Sequence, residues 1–212
     1  MKYDIVMFDF DGTLADSFPF FTSVFNEFAR RYRFRTIEPH DVQRLRACST
    51  REILVYVGLP GWKLPLVARR FRAMMREAAG DIPLFHGVDA MLQDLAQRGA
   101  QLAVVTSNSF ANVKAVLGAE NMARIAYFEC GASLFGKTSR LARVLRKSGI
   151  DGNRALYIGD QAADPEAARA AGIDFGAVAW GYGEIESLKQ YRPAQVFMSM
   201  REIGLLGVVQ QA

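Results

Sequence analysis

The sequence predicts an α/β protein: a Rossmann-like parallel sheet in three α/β/α layers, with an inserted α-helical subdomain. Three observations predict it. Short apolar runs recur at residues 5–8, 102–105, 155–158 and 175–179. A run of that length without polar alternation marks a strand buried on both faces. Each run after the first follows a segment of helical periodicity, and strands alternating with helices build a parallel sheet with right-handed crossovers. Finally, just over ninety residues separate the first two runs. One crossover needs only about a dozen, so the excess is an insertion.

Composition narrows the class. The chain has 212 residues, half of them apolar and 23% charged, which fits a globular domain with a modest insert and excludes collagen, disorder and coiled-coil arrays. No apolar run reaches the ~18 residues of a membrane span. Lys2 leads directly into Tyr3-Asp4, without the pattern of a signal peptide. Cys48 and Cys130 lie far apart and lack metal-type spacing. That usage fits a reducing, cytoplasmic compartment. A net charge of +4 suits a small anionic partner and does not demand nucleic acid.

In chain order, the first strand at residues 5–8 ends on Asp9. Phe18, Phe21, Val24, Phe25 and Phe28 then recur at helical spacing. Further helical pieces fall at 42–47, 51–57 and 64–79, with no strand among them. Residues 16–84 are accordingly predicted to be an inserted helical subdomain, with the phenylalanine stripe as its core. Residues 1–15 and 85–212 form the sheet core. His86, before Gly87, sits at the return from the insert as a hinge residue, and His40 is solvated. Shorter strands are expected at 127–130 and 194–197.

Four segments carry candidate chemistry, and each also has a plain structural explanation. Asp9-Phe10-Asp11-Gly12-Thr13-Leu14 places two carboxylates at the carboxyl end of a strand, where ligands bind in this architecture. Asp-Gly is also ordinary turn chemistry, and Thr13 suits a helix cap. Asp9 resists that explanation, because a carboxylate ending an apolar strand adjoins a dry core. Thr106-Ser107-Asn108 follows the second strand, where hydroxyls and backbone N–H groups hold phosphate or simply cap a helix. Lys137 opens a helix, against the helix dipole, which suggests an anion to meet. Asp160 ends a third strand, and Asp164-Pro165 has the form of an N-cap followed by proline.

As a set these segments are more specific. Asp9, Asp11, Asp160 and Asp164 would converge at one sheet edge, and such carboxylates stay ionised together only with a cation. A hard cation with oxygen ligands, Mg²⁺, satisfies them. Lys137 and Thr106 would complete a phosphoryl site, with one aspartate as nucleophile and another as general acid/base. A rival lies in Gly131-Ala132-Ser133-Leu134-Phe135-Gly136-Lys137-Thr138, which matches the P-loop pattern. It leaves Asp9 and Asp11 unexplained and puts bulky Leu134 and Phe135 where backbone must wrap phosphates, so the NTPase is rejected.

The four segments, in this order, resemble the haloacid dehalogenase superfamily. Residues 84–88, 167–172 and 180–183 are similar to its phosphoglycolate phosphatase-like branch, whose helical cap follows the first motif. The resemblance implies a Mg²⁺-dependent phosphatase acting on a small phosphorylated metabolite, with the first strand central in the sheet. It implies Asp9 as nucleophile and metal ligand, and Asp11 as general acid/base lending the metal its main-chain carbonyl. Thr106, Ser107 and Asn108 would bind phosphate, and Lys137 would neutralise charge. Asp160 and Asp164 would complete the metal shell, with Gln161 where relatives often carry a small hydroxyl or acidic residue. Arg46 and Arg51 in the cap are candidates for a distal carboxylate of the substrate. Trp180 and Tyr182 are expected to shape a loop near the site. The alternatives are a phosphomutase of the β-phosphoglucomutase type and a non-catalytic binding protein.

Overall fold

The computed structural model describes residues 2–46, 50–78, 82–131 and 136–207. Six parallel strands form one sheet in the order β3-β2-β1-β4-β5-β6. They are β1 (Ile5–Phe8), β2 (Gln101–Val105), β3 (Tyr127–Glu129), β4 (Ala155–Gly159), β5 (Asp174–Val178) and β6 (Gln195–Phe197). The first strand is central, with Phe8 beside Val104 of β2 on one side and Ile158 of β4 on the other. The strand order turns back at β1 and β4, so the crevice at their carboxyl ends is the place where a doubly wound sheet binds ligands.

The period-two geometry of a strand divides the apolar runs between two cores. Val6, Phe8, Leu102, Val104, Leu156 and Ile158 enter one cluster, and Ile5, Met7, Ala103, Val105, Ala155 and Tyr157 the other. The first face is covered by α5 (Val88–Gln97), α6 (Phe110–Arg124) and α10 (Met200–Gly204), through Met91, Leu95, Val113 and Ile203. The second is covered by α7 (Gly136–Ser148), α8 (Ala163–Ala171) and α9 (Ile185–Lys189), through Leu141, Val144, Ala168 and Leu188. This gives the three layers.

The insert holds α1 (Phe18–Tyr32), α2 (Pro39–Arg46), α3 (Thr50–Tyr56) and α4 (Leu64–Glu77), with a 3-10 turn at Gly61–Lys63. These helices surround a separate cluster that includes Val24, Phe25, Phe28, Ile37, Leu45 and Val57. Phe21, Val24, Phe25 and Phe28 of the stripe thus point into the insert's own core, whereas Phe18 packs outside it, against Tyr182. Asn26 fixes the turn after α1, its side chain accepting from the Ile37 N–H and donating to the Ile37 carbonyl, both at 2.7 Å. The chain enters and leaves the insert side by side. Ala15 bridges Leu84 in antiparallel fashion, and Asp16 N–H donates to Pro83 O at 2.9 Å. His86 lies just beyond, in the turn before α5.

Two sequence expectations need correction. Asp164 is not an N-cap: α8 starts at Ala163, and Ala162 occupies the cap position. Thr13 caps no helix either, since its hydroxyl donates to Asp160 Oδ1 at 2.8 Å. In both cases a buried carboxylate at the sheet edge takes the hydrogen bonds that a local rule assigns to a helix end.

Candidate active site

Asp9 follows β1 directly and is 4% exposed. Its Oδ1 accepts the Phe10 N–H at 2.8 Å, and its Oδ2 accepts Lys137 Nζ at 2.8 Å. Lys137 stands in the first turn of α7 and also donates to Asp164 Oδ1. Tyr157 on β4, fully buried, gives its hydroxyl to the same oxygen at 3.1 Å. The other oxygen of Asp164 accepts two backbone N–H groups, from Asp160 at 3.0 Å and Gln161 at 2.9 Å. The demand of those two N–H groups explains why Asp164 lies inside the first helical turn.

Asp160 follows β4 and is wholly buried. Its oxygens accept the Thr13 hydroxyl and, at 2.7 Å, the Tyr182 N–H. Glycine is required around it. At Gly12 (φ +80°) a Cβ would lie 2.4 Å from Asp160 Oδ2, and at Gly181 a Cβ would lie 2.1 Å from Asp160 Cβ. One oxygen from each of Asp9, Asp160 and Asp164 lies within 4.8 Å of the other two.

Burial sets the electrostatics. It pushes the Asp9 carboxyl up to about 6, against the pull of Lys137 and with the push of Asp164. It raises Asp160 well above the carboxylate range, helped by the negative charges of Asp9 and Asp164. Burial alone would lower Lys137, but Asp164 and Asp9 outweigh it and hold the ammonium protonated. Three buried carboxylates therefore face one ammonium, leaving up to two negative charges uncompensated in a dry site. That deficit fits a divalent cation among hard oxygen donors.

Asp11 belongs to a second, adjoining group. Its Oδ1 accepts the Ser17 hydroxyl at 2.8 Å, and its Oδ2 accepts Asn108 Nδ2 at 3.0 Å. Burial raises its pKa, and these two hydrogen bonds oppose the rise. Ser17 also meets the Tyr182 hydroxyl, and Phe18 meets the Tyr182 ring edge-on at 5.1 Å. Thr106 is buried at the end of β2, its Oγ1 accepting the Asn108 N–H at 3.0 Å, while Ser107 beside it is exposed. The Asn108 amide, expected from sequence to face phosphate, is engaged with Asp11.

Trp180 and Tyr182 do shape the adjoining loop, for Trp180 Nε1 donates to the Thr13 carbonyl at 3.1 Å. Ser17, Thr13 and Tyr157 are the contributors that sequence reasoning missed. Only Tyr157, a phenol inside an otherwise aliphatic strand, left a signal. Arg46 lies on α2 and Arg51 on α3, but their side chains are outside the described residues. So are residues 132–135 of the P-loop match, although Lys137 within it is bound to carboxylates.

Similarity to known proteins assigns this parallel α/β core, with its acidic cluster at the switch point and its helical insert after the first strand, to a class of hydrolases. The family model of the haloacid dehalogenase-like hydrolases matches residues 6–178, and the chain belongs to that family, in its phosphoglycolate phosphatase-like branch. A phosphoglycolate phosphatase from Synechococcus elongatus is 30% identical over 184 residues, covering 86% of this chain and 87% of that protein. Tyrosine-protein kinase PtkA from Mycobacterium tuberculosis is 30% identical over 187 residues, 86% of this chain and 64% of the kinase. Among solved structures, a haloacid dehalogenase-like family hydrolase from Streptococcus pneumoniae superposes with a TM-score of 0.82 at 19% identity, covering 95% and 97% of the two chains. That likeness shows the fold.

Proposed function

We propose that the chain is a Mg²⁺-dependent phosphatase that hydrolyses a small phosphomonoester, phosphoglycolate-like or a sugar phosphate, through a phosphorylated Asp9. The observation that carries this is the buried cluster of Asp9, Asp160 and Asp164 around the single ammonium of Lys137. Asp9, Asp160 and Asp164 would hold the ion together with the Asp11 main-chain carbonyl. Bound there, it supplies the missing positive charge and polarises the phosphoryl oxygens.

The chain's own groups account for the rest. An Asp9 oxygen attacks phosphorus, forming the P–O bond of an acyl phosphate as the ester P–O bond breaks. Lys137 neutralises charge on Asp9 and on the phosphoryl group, and Thr106 and the Ser107 N–H hold its oxygens. Asp11, whose raised pKa suits an acid, protonates the departing alkoxide. It then takes the proton of the water that attacks the acyl phosphate and releases orthophosphate. Residues 16–84 act as the cap, excluding water on closure. Arg46 and Arg51 of the cap would meet a distal carboxylate, a role for which the arginine fork is suited.

The test is orthophosphate release from 2-phosphoglycolate and a panel of sugar phosphates, with Mg²⁺ and with EDTA, beside thermal melting in both. Turnover only with Mg²⁺, and a higher melting temperature with the ion, support the proposal. Undiminished turnover in EDTA rejects the metal. Isomerised sugar phosphate without orthophosphate makes the chain a phosphomutase. Transfer from ATP to a tyrosine peptide, without monoester hydrolysis, gives it the activity in the mycobacterial relative's name.

A further inference from the structure

Among the described residues, one buried side-chain polar atom has no hydrogen-bond partner: Asn112 Oδ1. Asn112 lies in the first turn of α6 and is 2% exposed. An aliphatic side chain there would bury as well and strand no polar atom, so the fold retains this amide against its own stability. What the amide delivers is a donor, Nδ2, to Asn108 Oδ1 at 2.9 Å. The same oxygen accepts the Ser109 N–H at 2.8 Å. The Ser109 N–H sets which end of the Asn108 amide is the oxygen, and the Asn112 donor anchors that oxygen from a second direction, so the side chain is held in one rotamer. Its NH₂ group must face the other way, where it donates to Asp11 Oδ2 at 3.0 Å.

We infer that Asn112 is a positioning residue which, through Asn108, fixes the Asp11 carboxyl in the orientation that reaches the leaving group. This rests on the general-acid role given to Asp11 above. The backbone N–H of Asn112 donates to Ser109 Oγ at 3.2 Å and caps α6. Replacing the side chain keeps that cap. Asn108 Oδ1 also keeps the Ser109 N–H, so no new polar atom is orphaned.

The experiment uses Asn112→Leu and Asn112→Ala in the full chain with Mg²⁺, on two esters. The phenolate of p-nitrophenyl phosphate leaves without a proton, whereas the alkoxide of 2-phosphoglycolate needs one. Misplacing Asp11 should lower kcat/KM, which reports the steps up to departure of the leaving group, about ten- to a hundredfold on the alkyl ester, with kcat/KM of the aryl ester within about threefold. The leucine variant should melt no lower than wild type. Equal losses of kcat/KM on both esters, or none on either, overturn the inference while leaving the phosphatase standing.

A wild type inactive on both esters would overturn the functional proposal instead. The Asn108 side-chain ¹H–¹⁵N signal then decides for Asn112. It should shift in Asn112→Leu if the Asp11 contact is disturbed, and an unmoved signal rejects the role.

Discussion

At the carboxyl edge of the sheet, Asp160 and Asp164 are wholly buried and every side-chain oxygen accepts at least one hydrogen bond. In the insert, Val24, Phe25 and Phe28 pack into a cluster of their own, and the large exposed apolar side chains include Val55 and Trp62. Charge divides the two regions as well. Residues 16–84 hold twelve Lys and Arg against seven Asp and Glu, while the rest holds fourteen against fifteen, so the insert carries the chain's positive excess and the remainder is close to neutral. One region spends burial on ionisable groups fixed from all sides. The other buries hydrocarbon and keeps its charges in water. The first arrangement depends on atoms in register, the second on volume, and substitutions should separate them.

The largest effect is expected at Asp9, the proposed nucleophile. Asp9→Asn should lower turnover at least about ten-thousandfold, since phosphomonoester hydrolysis is among the slowest uncatalysed reactions. Its circular dichroism melt should stay within a few degrees of wild type. Residual turnover above one part in a hundred would place the nucleophile elsewhere.

Lys137→Ala should strike both function and stability. It leaves Asp9 and Asp164 without their cation, which for a broken buried pair costs about 3 kcal/mol. Turnover should fall at least about a hundredfold. Urea melts of the metal-free protein would check the first number, and an unchanged midpoint would count against the ion pairs.

Phe28→Ala sharpens the contrast. Removing this 2% exposed ring should cost about 3 kcal/mol, yet hydrolysis of an aryl phosphate should change less than about tenfold below the melting temperature. A turnover loss matching that of Lys137→Ala would mean that the insert's core and the acidic cluster act as one unit.

The smallest effect concerns Glu129, at the end of β3. Burial pushes its carboxyl up, but hydrogen bonds from Lys147 and Arg143 outweigh that and hold it below the usual range. A depressed carboxyl adds stability above the unfolded pKa and loses it as pH falls through the folded value. Glu129→Gln should therefore cost about 0.5 kcal/mol at pH 7, after screening of the partly exposed cations. Denaturant melts from pH 7 to pH 3 should show the difference closing below about pH 4.

The same contrast explains what was legible in the sequence. The buried strands were, because a parallel sheet leaves no polar face to blur the apolar runs. Asp9, Asp160 and Lys137 were legible because charge beside a dry core, or against a helix dipole, has few other uses. Their convergence needed the strand order, a long-range property that the motif order carried only through family resemblance. Asp164 was found for one reason and does another job, since its oxygens are claimed by N–H groups before the helix begins. Ser17 and Thr13 had no signal, for a hydroxyl near a helix start reads as a cap until the fold brings Asp11 or Asp160 beside it. The β5 boundary moved back by one residue because Asp174 pairs with Leu156 in the ladder while its side chain accepts from Lys2 and Tyr3 at the surface.

The pairing of Ala15 with Leu84 has a kinetic consequence. β1 and β2 are neighbours in the sheet, yet Phe8 and Gln101 lie more than ninety positions apart. Closing so long a chain would make this ladder a late and costly step. The bridge at the root of the insert short-circuits the path. Once Ala15 and Leu84 meet, the remaining connection is about twenty-five residues, and pairing β1 with β2 then costs roughly 1 kcal/mol less closure entropy than it would across the full segment. The insert is thereby a side branch rather than a detour, and the sheet can zip up with the contact order of a much shorter protein.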